Sequence, residues 1–424
     1  MLISIFTQTN NTTWIREVWD SLRDQQGDFE WLVGVNGGAN IENIPDDPRV
    51  RVIPTGEWKG VGDAKRRLCR EARGEVVLEL DHDDVLAEGT LEKVRDAFRD
   101  PEVGFVFSDT AEWEDSTGKP FTYSEAWGWK NYPCEVRGRK LLATVAREVN
   151  ARTMCQILYA PNHLRAWRKS VYDAVGGHDP GLQVADDFDL MCRTYLVTKF
   201  HHIPEGLYGY RRRADGENTW LKHNREIQRL CGQGEDPKIP AEGQPMPLRD
   251  KYLHRLVERE CELRGLPKVD LGGGIFGREG WRTLDISGDP DVLWDVFGSK
   301  KLPFEDGSIG AFRAFDFLEH GEDGDAFWLM DEVYRCLAPG GWFLSYTPHA
   351  LGIGASCDPS HRSRWDERRF LYWCTDELRP FLLSAHPFAM ARFEPVRLYK
   401  ENRILGPSPW RFEVPYLVAD LRKV

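Results

Sequence analysis

The stretch Val76-Val77-Leu78-Glu79-Leu80-Asp81-His82-Asp83-Asp84 decides how this chain is read. An apolar run of strand composition ends there in three carboxylates within four residues. Like charges at that spacing repel. A folded chain accommodates them where a divalent cation, or a polyphosphate carrying one, draws them together, because hard cations take oxygen ligands and bridge phosphates. The plainer alternative is an acidic turn in which Asp84 or Thr90 caps the helix outlined by Leu91, Val94 and Phe98.

Upstream of this run, strand and helix patterns alternate. Leu2 to Phe6 reads as a buried strand, and Ile15, Val18, Trp19 and Leu22 fall at helical spacing. Trp31 to Val35 is a second strand, broken by the turn chemistry of Asn36-Gly37-Gly38, and Val50 to Ile53 is a third. Asp63 to Ala72 reads as helix, leading into the fourth strand, Val76 to Leu80. Such alternation implies a mostly parallel sheet, whose ligands collect at the carboxyl ends of strands. Asp81 and Asp83 fall at such an end.

A chain of 424 residues exceeds one ordinary core and predicts two domains. The segment Cys231-Gly232-Gln233-Gly234-Glu235-Asp236-Pro237, continuing to Pro245, is rich in Gly and Pro, so the expected division is a domain at 1–231, a linker at 232–248 and a domain at 249–424. After a helical stretch holding Tyr252, Leu256 and Leu263, a second series begins. Val269 to Leu271, Trp281 to Ile286 and Val292 to Val296 read as strands. A helix carrying Phe327, Met330, Val333, Tyr334 and Leu337 is expected to stop at Pro339-Gly340-Gly341, before a strand from Trp342 to Tyr346.

Composition narrows the function classes. With 41% hydrophobic and 29% charged residues the chain has the make-up of a soluble globular protein. No apolar run approaches the roughly 18 residues of a membrane span, and Met1 leads straight into Leu2-Ile3-Ser4-Ile5-Phe6 without a basic leader, so a cytoplasmic location is expected. The nine cysteines include no Cys-X-X-Cys pair and predict reduced thiols, with neither a disulfide framework nor a zinc site. A net charge of −12 argues against general affinity for nucleic acid, leaving a local basic groove open.

In the first half, Leu2 to Asn10, Gly60-Val61-Gly62-Asp63-Ala64-Lys65-Arg66, Ala72-Arg73-Gly74-Glu75, Leu80 to Asp84, Phe107-Ser108-Asp109, Val175-Gly176-Gly177-His178-Asp179 and Ala185-Asp186-Asp187-Phe188-Asp189-Leu190 follow one another in a recognisable order. Over roughly residues 1 to 220 this resembles family 2 glycosyltransferases of the GT-A fold, a Rossmann-like mixed sheet. The resemblance implies metal-dependent, inverting transfer of a sugar from a nucleotide diphosphate sugar to a hydroxyl. Asp83 and Asp81 would position Mn²⁺ or Mg²⁺ on the pyrophosphate, with contact to the ribose as the alternative for Asp81. Lys65 would bind the donor, and Asp187 matches the position of the base, its pKa raised by neighbouring negative charge. The other reading of Asp187 is a helix N-terminal carboxylate favoured by the dipole. The sequence departs from the family's pattern in two places. Val35-Asn36 stands where many relatives carry an aspartate pair that holds the base, leaving Asn36 to pair with a nucleobase edge. Tyr210-Arg211-Arg212-Arg213 stands where a histidine often reaches the metal, so Arg211 or Arg213 either contacts the diphosphate or belongs to a solvated basic face. Trp127-Gly128-Trp129 reads as packing, or as a platform for a sugar ring.

In the second half, the strand Val269 to Leu271 runs into Gly272-Gly273-Gly274. Glycines there let backbone approach a nucleotide-like ligand. Gly272, Gly274 and Gly277 satisfy G-X-G-X-X-G, yet only about one helical turn fits before the next strand, too little for the dinucleotide fold. This short crossover, with Thr283-Leu284-Asp285-Ile286, Trp294-Asp295-Val296, Leu302 to Ser308, Phe317-Leu318-Glu319-His320 and Leu337-Ala338-Pro339-Gly340-Gly341, resembles a compact class I S-adenosylmethionine-dependent methyltransferase of Rossmann-like fold. The resemblance implies that Gly272 and Gly274 line the methionine moiety of S-adenosyl-L-methionine, Asp285 takes the ribose hydroxyls and Asp295 lies near the adenine. His320, His349 and His361 are candidates for handling an acceptor proton, His361 first because Asp358-Pro359-Ser360-His361 resembles a segment of these enzymes. The expected whole is a bifunctional enzyme that adds a sugar and O-methylates the glycan. The alternatives are a glycosyltransferase whose methyltransferase half is inactive or unrelated, a binding module for the two ligands, and a modifier of hydroxylated nucleic acid bases. Glycan, protein side chain and modified base all remain open as acceptors.

Overall fold

The run that ends at Asp81 becomes an interior strand. In the computed structural model, which describes residues 1–36, 39–54, 60–156, 161–213, 218–232, 247–274, 277–405 and 412–424, the first sheet contains eleven strands. They are β1 (Ile3–Thr9), β2 (Phe29–Val35), β3 (Val50–Pro54), β4 (Val76–Glu79), β5 (Val85–Leu86), β6 (Val103–Glu114), β7 (Pro120–Phe121), β8 (Asn131–Val136), β9 (Arg139–Thr144), β10 (Arg165–Arg168) and β11 (Lys199–Arg212). Their main order is β3-β2-β1-β4-β10-β6-β11-β5. Gly37, Gly38 and residues 233–246 of the expected linker lie outside the described residues.

The first four strands are parallel, and both neighbours of β1 end beside it. Thr9 pairs with Val35 on β2, and Phe6 with Glu79 on β4. Because chain order reverses across β1, the carboxyl ends of β1, β2 and β4 frame the crevice where such sheets bind ligands. The strands are apolar because both faces are covered. Ile3, Ile5, Trp31, Val33 and Leu78 belong to one core with Ile15, Val18 and Leu22 of the helix Ile15–Leu22, while the helix Val61–Glu71 buries Ala64, Leu68 and Cys69. β10 runs antiparallel between β4 and β6, and carries Arg165 into the crevice floor.

The capping alternative for the acidic run fails. The helix Thr90–Ala97 follows Gly89 without a side-chain cap bond, and Thr90 Oγ1 instead donates to the Ala87 carbonyl at 2.8 Å. Asp84 is 1% exposed and accepts from Tyr208 Oη at 2.8 Å and from the Arg211 backbone N–H at 2.7 Å. It ties the acidic turn to β11.

The chain divides into two compact units at Tyr252 and Leu253, inside the helix Leu248–Leu263. The second unit holds β12 (Lys268–Leu271), β13 (Arg282–Asp285), β14 (Val292–Leu293), β15 (Ile309–Phe315), β16 (Leu337–Pro348), β17 (Phe393–Leu405) and β18 (Phe412–Lys423). Their order is β14-β13-β12-β15-β16-β18-β17, parallel from β14 to β16, with β18 antiparallel to both neighbours. Here the order reverses across β12, which puts a second crevice at the ends of β12 and β15. Two expected boundaries move. Val296 does not end a strand but opens the short helix Val296–Ser299, because Asp295 Oδ1 accepts from Gly298 N at 2.8 Å and caps it. Pro339-Gly340-Gly341 lies inside β16, where the register against β15 jumps from Ile309↔Leu337 to Ala311↔Trp342 and Gly340 takes a φ of +71°. Among the described residues no helix is long and apolar enough to cross a membrane.

Candidate active site

In the first unit a cavity of about 810 Å³ opens at the carboxyl ends of β1, β2 and β4. Asn36, Lys65, Asp81, Asp83 and Asp187, dispersed over some 150 positions of sequence, all line it, with Arg165, Asp186, Tyr210 and Arg213. Parallel strands bring Asn36, Asp81 and Asp83 to one edge, the helix Val61–Glu71 supplies Lys65, and the helix Asp186–Tyr195 brings its amino-terminal carboxylates to the cavity.

The floor is a buried ion network. Lys65 Nζ lies 2.5 Å from Glu79 Oε1 and 3.7 Å from Asp186 Oδ2, with the lysine 8% and the glutamate 1% exposed. Burial works against the lysine's charge, but Asp186, Glu79, Asp81 and Asp187 outweigh it and hold the ammonium well above its ordinary range. Lys65 thus supports the carboxylates from beneath. Glu79 is likewise kept ionised against burial by Lys65 and Arg165. Glu79 and Arg165 were assigned no role from the sequence, because their roles come from strands that meet only in the fold.

Asp187 receives Arg165 Nη1 at 2.7 Å. The expected elevation by negative neighbours does not occur there. Burial pushes the carboxyl up, but Arg165 and Lys65 outweigh it, so the group sits below its ordinary range and stays ionised. The elevated member of the pair is Asp186, pushed by burial and by Asp187 to about 6. Asp187 is also the more accessible, its side chain 31% exposed against 6% for Asp186.

Asp81 and Asp83 present their carboxylates from the end of β4. Burial, together with the charges of Glu79 and Asp83, pushes Asp81 up to about 7. That is the electrostatic state a divalent cation relieves, and two adjacent carboxylates are oxygen donors of the kind hard cations take. Beside them His163 Nε2 lies 3.9 Å from Asp81 Oδ2, and the Arg213 guanidinium 3.8 Å from Asp83 Oδ2, over the Trp14 ring. Burial and nearby Arg165 lower His163 to about 3, so it is a neutral imidazole.

The arginine run separates into distinct roles. Arg211 is 4% exposed and spends its guanidinium on the Asp83 carbonyl at 2.7 Å, Asp115 at 2.6 Å and Glu17 at 2.5 Å, so it is a structural strut and not a diphosphate ligand. Arg213 lines the cavity. Asp109 lies outside it, buried against Tyr132, His202 and the Ala146 N–H. Trp129 packs on Tyr123 under Arg147, whereas Trp127 is 76% exposed and does not pack.

The second unit has its own constellation at the ends of β12, β13 and β15. Gly272 takes a φ of +71°, and a Cβ there would meet Phe317 Cδ2 at 2.5 Å. Gly274, at +44°, lies so that a Cβ would be 3.2 Å from Asp285 Oδ2. Asp285 therefore faces the glycine turn at the end of β13. Asp295 is exposed and occupied as a helix cap, a role the resemblance did not suggest. His349 is fixed at both nitrogens, accepting from Leu351 N at 3.1 Å and meeting Glu367 Oε2 at 3.0 Å, which makes it structural. His320 and His361 come together with ring centroids 5.1 Å apart, beside Glu319.

Residues 4–173 match the family model described as glycosyl transferase family 2. The matched stretch lies within the first unit, while Asp186, Asp187, Tyr210 and Arg213 lie beyond it. No curated protein matches the chain. Similar solved structures include S. aureus TarS 1-349 in complex with UDP-GlcNAc, 17% identical, covering 62% of this chain and 73% of that one at a TM-score of 0.41. Another is the mannosyltransferase PcManGT from Pyrobaculum calidifontis in complex with GDP-Man and Mn²⁺, 16% identical, covering 60% and 68% at 0.39.

Proposed function

We propose, starting from the glycosyl transferase family 2 domain at residues 4–173, that the first unit transfers a sugar from a nucleotide diphosphate sugar to a hydroxyl, with inversion. The observation that carries this is the convergence of Asp81, Asp83 and Asp187 on one cavity of about 810 Å³. Asp83 and Asp81 hold Mn²⁺ or Mg²⁺, which when bound offsets charge developing on the leaving diphosphate. Arg213 adds a guanidinium on the same side, suited to phosphate oxygens. Asn36, at the end of β2, is the group for the nucleobase edge. Asp187, kept ionised by Arg165, accepts the acceptor hydroxyl's proton.

The second unit, in this reading, O-methylates the glycan with S-adenosyl-L-methionine. Support comes from the reversal of strand order at β12, from Gly272 and Gly274 in backbone conformations that favour glycine, and from Asp285 facing them, a carboxylate of the kind that accepts from ribose hydroxyls. His320 and His361, which come together after the end of β15, are the groups for the acceptor hydroxyl. Joining the two activities in one chain raises the effective concentration of the glycosylated intermediate at the second.

Incubation with Mn²⁺ and a panel of nucleotide sugars tests the first half through nucleoside diphosphate release. Asp83→Ala should abolish turnover and metal-dependent donor binding, and Asp187→Asn should abolish turnover while donor binding persists. Release by Asp187→Asn at the wild-type rate would remove it as the base. With S-adenosyl-L-methionine added, the glycosylated product should gain the mass of one CH₂. A methyl group on the unglycosylated acceptor would break the proposed coupling.

A further inference from the structure

Glu319 is 1% exposed in the middle of the turn Leu318–His320, just after β15. Its Oε2 accepts from Thr347 Oγ1 at 2.6 Å, which turns Oε1 toward His361, whose Nε2 is 3.9 Å away. Oε1 has no hydrogen-bond partner among the described residues. An unpaired buried carboxylate oxygen is costly, and a bound ion is one of the ways a native fold completes it. His320 supplies a third donor, and one ligand atom from each residue fits within 4.8 Å of the others.

The three side chains are held from two directions. Arg362 N and Ser363 N both donate to the Glu319 carbonyl, at 2.7 and 3.1 Å, and Ser363 Oγ donates to the Leu318 carbonyl at 3.1 Å. The loop bearing His361 is thereby fastened to the residues beside it. On the other side Asp358 closes a turn through Ser360 N at 2.8 Å and Ser360 Oγ at 2.6 Å. Binding would therefore require side-chain adjustment and little backbone movement.

We infer that Glu319, His320 and His361 form a binding site for a divalent first-row transition cation. Two imidazoles and one carboxylate suit zinc or iron(II), whereas magnesium and calcium prefer all-oxygen sets. Ligand bonds of roughly 2.0–2.1 Å put tetrahedral donors roughly 3.4 Å apart, so the 3.9 Å between His361 and Glu319 closes with a shift of about half an ångström. Three protein ligands leave a position open, the arrangement of a site that handles a bound oxygen. It contains no cysteine, which is why cysteine spacing did not announce it. The cation site stands on this geometry alone. Its use to acidify the glycan hydroxyl rests on reading the second unit as a methyltransferase.

The test uses the full chain, stripped by a chelator and equilibrated with Zn²⁺, Fe²⁺ or Co²⁺ alone in separate arms, without S-adenosyl-L-methionine. Asp83→Ala serves as the background, removing metal held by the first unit. One equivalent of Zn²⁺ or Fe²⁺ per chain should remain in that background, and whichever is held more tightly names the ion. The Co²⁺ form should absorb in the visible. Glu319→Gln, His320→Ala and His361→Ala, each added to that background, should each weaken binding at least tenfold at unchanged circular dichroism. His320→Ala, altering a partly exposed ring, keeps the test valid if the buried Glu319→Gln fails to fold. Unchanged uptake in both histidine variants, or no retained equivalent in Asp83→Ala, overturns the site. Metal retained at this site, together with no methyl transfer by the unsubstituted chain in a separate assay supplied with S-adenosyl-L-methionine and glycosylated product, would instead count against the methyltransferase reading alone.

Discussion

Replacing Lys65 by Met keeps the length of the side chain and removes its charge. The ammonium sits 2.5 Å from Glu79 and 3.7 Å from Asp186, and both carboxylates are buried. Without it, two negative groups face each other in a water-poor floor with only Arg165 nearby. Breaking a buried pair by removing one partner costs about 3–5 kcal/mol. For a unit of this size each kcal/mol lowers the melting temperature by about 2–4 °C, so the loss should fall between about 6 and 20 °C. Calorimetry of the full chain would follow the first unit's transition. Adding Glu79→Gln removes one stranded charge and should restore about 2 kcal/mol, an interaction energy within the range seen for contacting residues. A single-variant cost below about 1 kcal/mol, or two costs that simply add, would refute the network. The double variant also separates two roles for Lys65. If it only supports the carboxylates, donor affinity recovers with stability; a persistent loss of donor affinity means it touches the donor.

Four further outcomes follow from the residues described. Arg165→Met removes the cation that keeps Asp187 below its ordinary range, so the acid limb of sugar transfer should move to higher pH. The sign follows from linkage: a depressed carboxylate contributes stability above its unfolded value, near 3.9, that is lost as pH falls through the lower folded one. An unmoved limb in a folded variant would separate Asp187 from Arg165. Asp84→Ala strands Tyr208 Oη and the Arg211 N–H and should cost about 3 kcal/mol in chemical denaturation, against nearly nothing if the carboxylate were a solvated turn residue. Asp285→Ala should weaken S-adenosyl-L-methionine binding about tenfold by calorimetric titration, the scale of losing one charged hydrogen-bonding group. Asp295→Ala should leave binding close to wild type and cost about 1 kcal/mol as a lost helix cap.

The elements that could be read along the chain are those whose signal is local. The strand Val76–Glu79 opens on the apolar run Val76-Val77-Leu78, Ile3–Thr9 carries Ile3, Ile5 and Phe6 in its first half, and the helix Ile15–Leu22 shows its buried face at helical spacing. The four-residue β10, with an arginine at each end, has no such pattern, because its stability comes from pairing on both sides with β4 and β6. Asp295 and Val296 were misread for a related reason: one capping bond decides between strand and helix, and composition does not encode it.

By itself the sequence determined that carboxylates end a buried parallel strand and that a glycine turn ends another, since each follows from residue type and order. Only the tertiary structure decided how those residues are charged. Asp187 is held low by an arginine 22 positions away, Asp186 is the elevated neighbour, Arg211 is spent on Glu17 and Asp115, and Glu319 meets His361 across 42 positions. Electrostatic state depends on distance and burial in three dimensions, and a linear spacing carries neither.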